Sequence, residues 1–297
     1  MQSELGTGHG WFEHLSERDR DFLGPLARRA GVAESAVRRD PAALAHVLTH
    51  PATFDAMFGR PDDDTLVATS PFLTFAVIVH RGWSELRSAR HVDEWIGVRQ
   101  RLPLLSAGDL RDFLAAPHRR LFLTELLASY TRVASGATWV ATRRGWRRRR
   151  FNELDPVRLA SLLEVVPDEQ RPGVYRRLGD LALLLTGVFP DHTERHGLGL
   201  LERGRLARMS GLDVDEREGP LLGSAPTGAV GLLEQLGPRW YRLASGARRW
   251  PSAGAAGTTS VVVEVADRFS VARRTLNHLT DRYLFTRRAS WFGEPRA

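Results

Sequence analysis

Three groups of residues have types and spacing that could do chemistry. The first is Arg143, Arg144, Arg147, Arg148, Arg149 and Arg150, six guanidinium groups within eight positions, with Trp146 among them. A guanidinium donates two parallel hydrogen bonds to a phosphate or carboxylate. Cations packed this densely repel one another unless an anion lies near. The second group is His192 and His196. On a helix, residues four apart share a face, so both imidazoles could reach one metal ion. Glu194 lies two residues after His192 and faces elsewhere, so no HExxH motif is formed. His46 and His50 repeat the spacing with no carboxylate between them, which shows how readily it arises. The third group is Arg38 and Arg39, with Glu34 and Ser35, in the segment LARRAGVAESAVRR (Leu26–Arg39). That segment resembles a bacterial helix-turn-helix, with Gly31 at the turn and Val37 facing inward. Asp40-Pro41 follows at once and predicts a second helix under two turns long.

What the sequence lacks excludes other chemistry. It contains neither Cys nor Lys, and all 42 basic residues are Arg. Thiol nucleophiles, disulfides, Cys-ligated zinc and iron–sulfur clusters are therefore ruled out. So are Schiff bases and the lysines of P-loops and kinases. GxSxG and Walker motifs are missing too, and no catalytic set singles itself out. No cofactor is expected. The net charge of +7 suits an anionic partner without specifying nucleic acid.

The elements that must position these residues are mostly helical. Residues 1–15 read as a loose lead-in, and their Gly6, Gly8 and Gly10 follow no strand. Ser16 can cap a first helix. Asp40-Pro41, Ser70-Pro71 and Asp155-Pro156 each pair a capping residue with Pro at the first helical position. The helix from Pro71 is apolar nearly all round and should be central, with His80 a hydrogen-bonded core residue. Residues 87–105 read as a polar connection. In Pro117–Val133 an apolar face of Leu121, Leu123, Leu126, Leu127 and Tyr130 leaves Arg119, Arg120 and Arg132 outside. Val174–Val188 reads as a buried helix in which Asp180 takes Arg176, one turn earlier, as its partner. Gly197–Gly228 reads as an irregular, Gly- and charge-rich segment. In a last long helix Val262, Val265, Phe269, Ala272, Leu276, Leu279 and Tyr283 form a stripe in alternating steps of three and four. Such a stripe packs on the chain's own core or forms a homodimer seam.

Gly136–Phe151 is the one β element these patterns predict. Trp139, Val140 and Thr142 favour strand, Arg143-Arg144-Gly145 supplies a turn, and Trp146–Phe151 returns. Alternation then puts Arg147 and Arg149 on one face and Arg148 and Arg150 on the other. A half-buried strand cannot carry Arg on both faces, so the hairpin should project into solvent or lie on an anionic partner.

The run Phe151–His192, centred on GDLALLLTGVFPDH, resembles a family of bacterial proteins of unknown function whose members carry a GDLALFLTGVFPDH-like segment. ARRTLNHLTDRYLF (Ala272–Phe285) is similar to theirs as well. The resemblance implies a compact family fold and no activity.

These readings predict a mainly α, multi-helix globular bundle with one small basic β-hairpin near 137–151. They divide it into an N-terminal helical subdomain, 1–60, and a main domain, 61–297. With no signal peptide and no membrane-spanning run, a cytoplasmic location is expected. The leading functional expectation is a nucleic-acid-binding or regulatory protein, using Arg38 and Arg39, the hairpin arginines with Trp146, or both. One alternative is a metal-dependent or small-molecule enzyme near Asp180, His192 and His196. The other is a helical adaptor for an acidic protein, and homodimerisation through Val262–Tyr283 accompanies these readings.

Overall fold

The computed structural model describes residues 10–59, 69–104, 107–131, 135–142, 145–152, 154–209, 228–246 and 255–292, with backbone alone at 104, 135–142, 145–152, 200 and 255–259. The chain is mainly α. It forms two compact units, one of Met1–Val92, Pro103–Thr131 and Asp281–Tyr283, the other of Asp93–Leu102, Arg132–Thr280 and Leu284–Ala297. Among the described residues, no helix is long and apolar enough to cross a membrane.

In the first unit, several helices begin where a side chain can accept the free amides of a first turn. α1 (Glu17–Arg29) opens on a capping box. Ser16 Oγ accepts from the Asp19 amide at 3.2 Å, and the Asp19 carboxylate accepts from the Ser16 amide at 2.9 Å. α2 (Glu34–Val37) is a single turn. α3 (Pro41–Thr49) starts with Asp40 accepting from the Ala42 amide, and α4 (Pro51–Phe58) with His50 Nδ1 accepting from the Ala52 amide. α5 (Pro71–Leu86) has Ser70 as its cap, and the Ser70 amide donates to the buried Asp19 carboxylate at 2.8 Å. One carboxylate thus joins the starts of α1 and α5.

Residues 72–79 of α5 are all buried. Phe72, Leu73, Ala76 and Val77 share one core with Trp11, Leu23, Leu44, Val47 and Met57. The subdomain boundary expected at residue 60 therefore falls inside the first unit, because α3 and α4 pack on α5. β1 (Val92–Gly97) and β2 (Gln100–Leu104), most of whose residues belong to the second unit, form a second hairpin, where the sequence reads only as a polar connection. α6 (Ala107–Ala115) and α7 (Pro117–Ser129) complete the first unit against α5.

One residue of α7 departs from expectation. Arg120 is buried, with its guanidinium 4.0 Å from the Trp83 ring centroid. Its Nη1 donates to the carbonyls of Leu114 and Ala115, at the end of α6. A cation there satisfies the free carbonyls of a helix C-terminus. Burial lowers its pKa to about 10.

In the second unit, β3 (Ser135–Thr142) pairs with β4 (Gly145–Asn152), and α8 (Pro156–Ala160) follows with Asp155 as its cap. α9 (Arg171–Gly187) is the centre of the unit and is buried throughout residues 178–187. After α10 (Pro190–Arg195), the segment expected to be irregular contains a helix, α11 (Leu200–Met209). α12 (Ala229–Gly246), α13 (Ala255–Asp267), α14 (Phe269–Leu279) and α15 (Arg288–Phe292) complete the series. α12 and α14 pack on α9. The approach is close enough that a methyl at Gly179 would lie 2.6 Å from the Tyr241 ring, and one at Gly187 2.6 Å from Leu276.

The apolar stripe of the C-terminal segment is used up inside this unit. The segment is two helices separated at Arg268, followed by a π-helical turn (Thr280–Leu284). Val262, Val265, Phe269, Ala272, Leu276 and Leu279 are all buried. Asn277 fixes the same face by donating to the carbonyls of Thr186 and Gly187. Of the homodimer seam expected over Val262–Tyr283, the stripe from Val262 to Leu279 is thus already covered by its own core, while Tyr283 is half-buried and belongs to the first unit.

Candidate nucleic-acid interface

β3 and β4 are antiparallel and in register from Ser135↔Asn152 to Thr142↔Gly145. Each arginine of β4 has a defined partner: Arg150↔Ala137, Arg149↔Thr138, Arg148↔Trp139 and Arg147↔Val140. Directly opposed residues share a face, and faces alternate along each strand. One face therefore carries Trp139, Trp146, Arg148 and Arg150. The other carries Thr138, Val140, Arg147 and Arg149. β3 contains no Asp or Glu, so the pairing offers the arginines no cross-strand carboxylate. The sheet has two strands, and β4 contacts α8 at the base of the ribbon. Arg143 and Arg144 lie outside the described residues. Arg147–Arg150 and Trp146 are placed by backbone and register.

The helix-turn-helix expectation is corrected. α2 has four residues, far too few to lie along a major groove. It stops because Asp40 and Pro41 open the next helix. Arg38 is half exposed but faces carboxylates, with Glu17 at 3.3 Å and Asp21 at 3.7 Å. Arg39 is exposed. The cleft of about 260 Å³ beside α1 and α2 is lined by Arg20, Arg28 and Arg38 together with Asp21 and Glu34. Arg28 pairs with Glu34. The two signs of charge offset one another, and no basic surface results.

His192 and His196 do meet, with ring centroids 4.4 Å apart, and His196 Nδ1 donates to the His192 carbonyl at 3.2 Å. The carboxylates beside them are occupied with structural donors. Asp191 accepts from the Trp95 indole at 2.7 Å and from the Arg99 amide at 2.9 Å, with Arg101 at 3.7 Å. Burial alone would raise the Asp191 pKa, but these donors, with Arg288, hold it below the usual carboxylate range. They also pin the turn between β1 and β2, where Arg99 takes φ of +57°. Glu194 accepts from the Val230 amide at 3.0 Å. Among the described residues, no three His, Asp or Glu side chains gather as a metal site requires. The adjoining cavity, which Leu185, His192, His196 and Leu233 help to line, holds about 80 Å³, room for a few waters.

Asp180 is buried, as its helical stripe implies. Arg176 Nε reaches both its oxygens, at 3.0 and 3.2 Å, and the Tyr241 hydroxyl donates to Oδ1 at 2.8 Å. Arg176 was legible from its spacing, whereas Tyr241, 61 residues away on α12, had no local signal. With two donors placed on it, Arg176 Nε and the Tyr241 hydroxyl, Asp180 ties α9 to α12. Compared with models of known protein families, with curated proteins and with solved structures, the chain matches none.

Proposed function

We propose that this chain binds nucleic acid through the β3–β4 ribbon, with Arg147, Arg148, Arg149 and Arg150 contacting phosphates. The observation that supports this is the register: four consecutive arginines are paired with a strand that has no acidic residue. Strand alternation then makes both faces of the ribbon basic, and the repulsion among these cations is relieved by an external polyanion. Arg143 and Arg144 join the same cluster in sequence. The enzyme alternative has no comparable support, since the Asp180 carboxylate is already committed to Arg176 and Tyr241.

The test is fluorescence anisotropy of labelled nucleic acid with the full chain at two salt concentrations. Neutralising about four phosphates gives a log–log slope of about −3.6 on a duplex and about −2.8 on a single strand, so raising salt from about 50 to about 200 mM weakens binding by about 150-fold and about 50-fold respectively. Changing Arg147, Arg148, Arg149 and Arg150 together to Gln abolishes binding, whereas Arg38→Gln with Arg39→Gln leaves it unchanged. If the quadruple variant keeps the affinity and slope of the wild type, the ribbon is not the contact. Binding of poly-glutamate with no binding of nucleic acid would favour an acidic protein partner instead.

A further inference from the structure

We infer that the ligand of the ribbon is single-stranded nucleic acid, taken with unpaired bases against the face that carries Trp139 and Trp146. This rests on the nucleic-acid reading above and goes further by naming which form is bound. The two faces are equally charged but differ in composition. Both tryptophans fall on the face of Arg148 and Arg150, while the face of Arg147 and Arg149 carries Thr138, Val140 and Thr142, with one aromatic residue, Phe151, at the end of the strand opposite Gly136. Trp139 is opposite Arg148, and Trp146 lies two residues before Arg148 on the same strand. The tryptophans are therefore diagonal neighbours, about 7 Å apart in an antiparallel ribbon.

Two tryptophans at neighbouring register positions, on a face that also carries two arginines, suit the two things a single strand offers. Its bases have free π-faces that stack on aromatic rings, and its phosphates take the cations. A duplex exposes only phosphates and base edges, because its base faces are stacked on one another. Against a duplex the four arginines still act and the tryptophans add little. The asymmetry between the faces thus selects the unpaired form. Trp139 comes from β3 and Trp146 from β4, so the platform exists only when the hairpin is formed in this register.

The experiment compares three labelled probes with the full chain: oligo-dT and oligo-U of about 20 nucleotides, longer than one such site, and a DNA duplex of matched length. Expected is binding of single strands about 10-fold or more tighter than of duplex, with stacking on each ring contributing about 5-fold or more. Trp139→Val with Trp146→Val then weakens single-strand binding about 30-fold and leaves duplex binding unchanged. Arg147→Gln with Arg149→Gln weakens all three probes alike. The oligo-dT and oligo-U arms separate DNA from RNA. Should the tryptophan variant fail to fold, as its melting curve would show, the wild-type ratio of single strand to duplex decides. Duplex bound as tightly as single strands, or full single-strand affinity in the folded tryptophan variant, overturns this inference while the nucleic-acid reading stands. Binding of none of the probes removes that reading as well.

Discussion

His80 makes the first unit acid-sensitive in a window where carboxylates contribute little. Its side chain is buried, Nδ1 donates to the Ala76 carbonyl at 2.8 Å, and the Trp11 ring meets it edge-on at 5.1 Å. Burial, reinforced by the Arg120 cation, lowers its pKa from 6.5 to about 3. The folded state therefore keeps His80 neutral while the unfolded chain takes up a proton below 6.5. Stability from this residue is fully present above 6.5 and is lost as pH falls toward 3. From about pH 7 to about pH 5 the loss is about 2 kcal/mol. The whole difference, reached near the folded value, is about 5 kcal/mol. His14 runs the other way, because its hydrogen bond to Glu125 raises its pKa. The effect must therefore be read as a difference between proteins. Urea unfolding at the two pH values, followed by hydrogen exchange of the α5 amides, compares wild type with His80→Leu and His80→Asn. Both variants lose about 2 kcal/mol less than wild type on acidification. If all three fall in parallel, His80 is not the titrating group and its enclosure is wrong.

Two further perturbations probe the second unit. Asp180→Ala leaves the Arg176 guanidinium without its carboxylate and costs about 3 kcal/mol, whereas Tyr241→Phe costs about 1 kcal/mol. In a double-mutant cycle by urea unfolding, the second change then adds almost nothing to the first, and strict additivity would break the assigned network. Gly179→Ala places a methyl 2.6 Å from the Tyr241 ring, which is held at its hydroxyl by Asp180 and cannot swing aside. Overpacking outweighs the gain in helix propensity, for a net loss of about 2 kcal/mol. On the same helix, Gly173 has nothing within 4 Å of an added methyl, so Gly173→Ala stabilises by about 0.5 kcal/mol or more. Equal shifts in Tm for the two alanine variants would rule out the close approach of α9 and α12.

What the sequence determined by itself was local. Ser16, Asp40, Ser70 and Asp155 cap the helices that their spacing predicts, because each accepts an amide hydrogen two or three residues on. Such a bond depends on little beyond its own turn. The β3–β4 ribbon was legible for the same reason, since strand residues flank a short connection and alternation assigns their faces. The Arg176–Asp180 pair is likewise one helical turn.

Tertiary structure decided whatever depends on partners distant in sequence. The β1–β2 turn is held by Asp191, 92 residues beyond Arg99, and nothing within the turn announces it. Arg120 looks like a surface cation on its own helix and is buried because the end of α6 presents it with carbonyls. The stripe from Val262 to Leu279 has the same steps of three and four whether it faces a second chain or its own core. Periodicity reports that a face is apolar, and only packing shows what covers it. Here α14 closes on α9, where Gly187 leaves room for Leu276.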